Sequence, residues 1–462
     1  MNGRIITVFA VAALAAVPAT AQDFEAQSAS VDLRFDGTLY PGVITLPLEE
    51  DVINVNLGAG AEPKDVCVEQ AGVAECRVLT PGEPQDIAVA YAGATYVLRL
   101  QYRGQAAVFD QAYRDLHSGS VRVEVPGAYE LVNVAIALTP YAEEEYGIVA
   151  PSPYLDAVRY RFSHLRDHAF VMSLDEAIRE DRSSYNTLKM NGASYDLQSD
   201  DTMVRSDIYD HVGWAGNTLR PYEAEMQDFA RKAQFSQFLA DFAPLYAQQA
   251  AFLRDEVDIS GMLDWLGREF PDVPPYDTTR VIFSPLVGAN QALATFEDGG
   301  FRELQPHVNF PYPSELERFD EDLRPFLQSL IIFTELNHGF INPTSERLAP
   351  QIAAHMPDLG EWADEMPAKF YENSQGVFNE MVNWALFSVY AQDKLEPEDA
   401  QAIAQIISDT MVNGRGFLRF DAFQREFLAL RAEQREGETV AKSFPQLVQS
   451  LGTFAANGDP AK

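Results

Sequence analysis

The residues best placed to do chemistry lie in one stretch, Leu330-Ile331-Ile332-Phe333-Thr334-Glu335-Leu336-Asn337-His338-Gly339-Phe340-Ile341-Asn342-Pro343. Its apolar spacing predicts a buried helix that stops at Asn342-Pro343, because a proline disfavours helical backbone in the residue before it. Glu335 and His338 stand at i and i+3 and therefore share one helix face. Burying a carboxylate and an imidazole together is costly unless a partner or a metal satisfies them. Zinc hydrolases of the H-E-x-x-H type hold the metal between two histidines at i and i+4, with the glutamate activating the metal-bound water. Here Thr334 occupies the place of the first histidine. A lone Glu-x-x-His on an apolar helix reads equally as a buried hydrogen-bonded couple.

Seven histidines are present: His117, His164, His168, His211, His307, His338 and His355. His307 lies on a β-prone run just before the helix, expected as an edge strand of the small sheet, and is placed to approach the helix, whereas His168 reads as a helix cap. The sequence has no G-x-S-x-G, no phosphate-cradling glycine loop and no C-x-x-C.

The elements that must position these residues fall into two classes. From 30 to 125, short runs of period two are separated by Asp36-Gly37, Pro41-Gly42, Pro81-Gly82 and Ala92-Gly93, predicting an antiparallel β-sandwich-like domain over 22–126. From 127 to 462 the pattern turns helical, at 129–138, 152–172, 221–255, 258–270, 320–341, 367–392, 396–413 and 421–434, with short strands near 280–284 and 307–310. The expected class is α+β, with a β domain followed by a mainly helical domain that carries a small sheet.

Composition narrows the setting. Arg4, the apolar run 5–17 and Ala19-Thr20-Ala21 read as a secretory signal peptide cleaved after Ala21. The expected location is thus the periplasm or the exterior, with no membrane insertion once the signal is removed. Cys67 and Cys76, on either side of Gln70-Ala71-Gly72, should pair across a hairpin in such an oxidising compartment. With 69 acidic residues against 34 Lys and Arg, the formal charge of −35 repels phosphate backbones and argues against a nucleic-acid partner.

Several pieces carry a resemblance that runs from about Tyr129 to the C-terminus. They are Tyr129-Glu130-Leu131-Val132-Asn133, Arg161-Phe162-Ser163, Asp167-His168-Ala169-Phe170-Val171, Ile282-Phe283-Ser284-Pro285-Leu286-Val287-Gly288, the helix end from Glu335 to Pro343, and Phe378-Asn379-Glu380. Together they resemble a bacterial family of exported, largely uncharacterised metalloproteases of the zincin type. The resemblance implies a zincin-like fold for 127–462, a zinc ion, and a peptide or protein as substrate or ligand. It implies Glu335 as general base, His338 as a zinc ligand and Glu380, from a later helix, as another. Thr334 departs from the pattern at a ligand position, and a hydroxyl is a poor zinc donor at neutral pH. Thr334 itself and His307 are the remaining candidate donors. The sequence supports two functions: a zinc metallopeptidase of weakened or lost activity, or a non-catalytic extracytoplasmic peptide- or protein-binding pseudoenzyme. Convergence of Glu335, His338 and Glu380 within metal reach, with a donor such as His307 alongside, would favour the first, and pairing of Glu335 with a basic side chain the second.

Overall fold

The structure, a computed structural model, describes residues 24–39, 44–46, 52–60, 63–80, 85–145, 147–288, 291–363, 371 and 373–457. The expected signal peptide lies outside the described residues. The chain divides into two compact units, one ending at Ala106 and one spanning Ala107–Lys462. The fold is α+β, with sheets in the first unit and a mainly helical second unit that carries a small sheet.

The first unit is built from two sheets. One orders its strands Phe24–Glu25, Gln85–Tyr91, Ala94–Gly104 and Val52–Gly60. The other orders Thr38–Leu39, Ser30–Phe35, Lys64–Gln70 and Val73–Leu79, all antiparallel. Alternate residues Val31, Leu33, Val66 and Val68 from one sheet share a core with Ile87, Val89, Leu98 and Leu100 from the other, as period-two strands require. The hairpin turns follow from local chemistry. Both central residues of Ala71-Gly72 and of Ala92-Gly93 have positive φ, the two-residue turn whose twist matches the strands it joins.

That turn sets Cys67 directly opposite Cys76, and the two form a disulfide. No helix among the described residues is long and apolar enough to cross a membrane.

The second unit begins at Ala107, ahead of the expected boundary at 127, because the segment 121–125, expected in the β domain, contributes a strand to its sheet. That sheet orders β1 (Val121–Glu124), β2 (Thr278–Ser284), β4 (Phe301–Asn309) and β3 (Ala292–Asp298). The first three are parallel, and β3 runs antiparallel at the edge. Glycines at positive φ, Gly299 and Gly300, close the β3–β4 hairpin.

Four of the helices of this unit are α1 (Gly127–Ala137), α2 (Ser184–Asn191), α3 (Leu330–Glu346) and α4 (Ser374–Lys394). The helix predicted to end before Pro343 instead continues through it to Glu346. Pro343 lacks an N–H and so leaves the Gly339 carbonyl without its helical donor. The Tyr276 hydroxyl replaces that donor, at 2.9 Å. Gly339 itself is required by close approach, since a Cβ there would lie 2.5 Å from Leu304 Cδ1. Helix α3 is thereby pressed onto the sheet.

The disulfide closes a short loop and should stabilise the first unit by restricting its unfolded chain. Replacing both cysteines with serine should lower the denaturation free energy of that unit by about 2–3 kcal/mol. A denaturation midpoint identical to wild type under oxidising conditions would contradict this.

Candidate functional site

Helices α3 and α4 pack side by side, tied by a 3.0 Å bond from the Asn337 amide to the Asn383 carbonyl. Together they form part of the lining of a cleft of about 1800 Å³. Thr334, Glu335 and His338 from α3 and Glu380 from α4 all line it, so the residues singled out by motif and by resemblance do come together. Leu293 and Thr295 of the edge strand β3 line it as well.

His307 is the exception. It sits on β4, an inner strand between β2 and β3 rather than an edge. Alternation places Leu304 toward α3 and His307 on the opposite face, where its ring packs 5.4 Å from that of Tyr129 on α1. Its Nε2 lies 2.9 Å from Gln305 Oε1. Burial, with the charges of Lys189 and Arg280, holds its pKa well below the usual value, and it contributes no donor to the cleft. His168 accepts a bond from the Phe170 N–H at the start of the helix Ala169–Glu180 and pairs with Asp228, the capping role expected of it.

Within the cleft His338, Glu380 and Thr334 are each engaged by neighbouring groups. Asn383 donates from its amide to His338 Nε2 at 2.8 Å, so the ring proton resides on Nδ1, which faces Asn342 Oδ1 at 3.3 Å. Glu380 lies 3.8 Å from His338 Nε2 through Oε2. Its other oxygen, Oε1, accepts from the Trp384 indole at 3.0 Å and from the Arg415 guanidinium. Arg415 also lies over the Trp384 ring, 4.9 Å from its centroid. Thr334 turns its hydroxyl back onto the Ile331 carbonyl at 2.8 Å, a bond common for threonine within a helix.

The charges sort accordingly. Burial alone would raise the Glu380 carboxyl, but Arg415, followed by His338, holds it below the usual range. Burial lowers His338, which stays neutral more readily than a free imidazole. Glu335 is pushed up to about 8, first by burial and then by the Glu380 charge, with Lys189 and Arg415 opposing. Lys189, on α2, is lowered to about 7 by burial, against the pull of Glu335.

This donor set does not make a zinc site. His338 and Glu380 stand at a separation that one ion would bridge, but a metallopeptidase centre takes three protein ligands and an open position. Thr334 spends its hydroxyl on the backbone, the His338 lone pair accepts from Asn383, and a guanidinium already lies against Glu380. Among the described residues no group of three His, Cys, Asp or Glu side chains is arranged to hold a metal ion. Comparison of the chain with protein-family models, curated proteins and solved structures gives no match.

Sequence reasoning missed Arg415, Asn342, Lys189 and the functional part of Asn383. Asn342 and Asn383 follow Glu335-x-x-His338 and Glu380 by three or four residues and share their helix faces, a spacing that does mark them. Arg415 and Lys189 arrive from distant segments with no signal of their own.

The raised Glu335 carboxyl bears on stability. Folding traps a proton that the unfolded chain releases above about 4.5, so this contribution is fully present at low pH and is lost as pH rises through about 8. Glu335→Gln mimics the protonated form and should gain on wild type by on the order of 2–4 kcal/mol between about pH 5 and pH 9. Parallel urea-denaturation profiles of the two proteins over that range would show that Glu335 is ionised throughout.

Proposed function

We propose that the second unit is a zincin-like scaffold that binds an extended peptide in its cleft without cutting it, as an extracytoplasmic pseudoenzyme. The observation that carries this reading is the engagement of both would-be ligands, His338 by Asn383 and Glu380 by Arg415. A centre so arranged has no means to polarise a carbonyl or to activate water through a metal.

Peptide binding rests on the edge strand. β3 ends the sheet, so the backbone groups on its outer side have no strand partner in it. An edge strand is a template for adding a further strand, with main-chain hydrogen bonds giving affinity and side-chain pockets giving selectivity. Along β3 the residues alternate, Ala294 and Phe296 inward, Leu293 and Thr295 into the cleft. An added strand would therefore run beside the cleft floor where Glu335 and His338 lie.

The test uses the purified full chain and a random nonapeptide library. The expected result is selective retention of some peptides, no cleavage with zinc supplied, and a loss of about tenfold or more in affinity on Thr295→Trp, which fills the cleft wall at an exposed position without entering the core. Cleavage that Glu335→Gln abolishes at equal folding would overturn the reading in favour of a hydrolase.

A further inference from the structure

We propose that Glu335 is the receptor for a ligand ammonium group, a lysine side chain or a free amino terminus, an inference that rests on the peptide-binding reading of the same cleft. Glu335 is 9% exposed and lines the cleft, yet no hydrogen-bond donor from the described residues reaches its carboxyl. A buried carboxyl in that condition keeps its proton, whereas a charged donor that reaches it lets it ionise within a strong, charge-assisted bond.

The groups around it explain why the donor must come from outside. Arg415 is committed to Glu380 and stacked on Trp384. Lys189 lies over the Tyr185 ring, with its Nζ 4.4 Å from the centroid. His338 is bonded to Asn383 and Asn342. Glu380 repels Glu335, and Tyr371 interacts with both carboxylates. The aromatic face of Tyr276, another cleft residue, is covered by Arg302 at 4.3 Å. Of the two buried carboxylates that line the cleft, Glu380 is bonded by Arg415 and Trp384, and Glu335 has no hydrogen-bonded partner among the described residues.

The sign of the ligand follows from the unit that carries the cleft. Residues 107–462 hold 56 acidic side chains against 28 Lys and Arg, a field that draws cations and repels anions. An ammonium is compact and brings three donors, enough to meet both Glu335 oxygens. An extended chain along β3 would deliver such a group from its terminus or from one side chain.

Two measurements on the full chain test this. The first compares thermal protection by n-butylammonium chloride with that by tetramethylammonium chloride at equal ionic strength, since the second cation has no N–H. n-Butylammonium should raise the unfolding temperature more, and Glu335→Gln should remove the difference. The second compares three nonapeptide mixtures: free amino terminus without lysine, acetylated terminus with one lysine, and all amines acetylated. Either or both of the first two should bind at least about tenfold more tightly than the third, and which one does so identifies the source of the ammonium. If the acetylated mixture binds as well as the others, and the two salts protect equally, the ammonium site is wrong while the peptide reading stands. If n-butylammonium protects through Glu335 but no mixture binds, the site stands and the peptide reading falls.

Discussion

The ion pair between Glu380 and Arg415 is the interaction on which the cleft depends. Glu380 is buried on α4, and a carboxylate in that position stays ionised only with a cation at hand. Arg415 supplies the charge, Trp384 supplies a second donor and a surface for the guanidinium, and the carboxylate then stands against His338. Removing the arginine would leave an uncompensated charge in a low-dielectric site, and the burial of Glu335 beside it would become costlier still. The cleft thus holds one carboxylate that is paired and ionised and one that is unpaired and protonated over much of the neutral range.

A second constraint gives this pair its place. Gly339 lets α3 approach β4 closely, and Tyr276 repairs the backbone bond that Pro343 removes. The same close packing brings the α3 face with Thr334, Glu335 and His338 to the cleft beside β3. A side chain at Gly339 would meet Leu304 Cδ1 at 2.5 Å and the Tyr276 hydroxyl at 3.0 Å, so these side chains or the helix would have to shift.

Much of this is legible in the sequence, and the parts that are not have physical reasons. The i and i+3 spacing of Glu335 and His338 fixes a shared helix face whatever the surroundings, so their joint arrival in the cleft is readable. The Cys67–Cys76 pairing is readable because Ala71-Gly72 sets the register. The helix end escapes a sequence reading because a hydroxyl from a distant residue, Tyr276, satisfies a carbonyl that proline would otherwise orphan. His307 reads as an edge residue only while β3 goes unrecognised: its run Ala292–Asp298 is short and rich in small residues, although Gly299-Gly300 marks the turn. The helix expected over 221–255 breaks at Gln234, whose left-handed backbone nothing in the residue type announces. Arg415 is invisible for a deeper reason. It follows a π-helical turn, Thr410–Gly414, and its pairing with Glu380 is a fact of tertiary packing alone.

On the proposed reading, the Arg415 guanidinium against Glu380 takes the place of a metal's charge and, with the missing donor at Thr334, closes the centre to zinc. The most direct test is zinc titration calorimetry on Thr334→His and on Thr334→His combined with Arg415→Met, both checked for cooperative folding. With the arginine present the added imidazole should gain little, and with it removed the three side chains should bind zinc about tenfold or more tightly than in the single variant. If Thr334→His alone already binds zinc as tightly as the double variant, Arg415 does not stand in the metal's place and the account of the cleft is wrong.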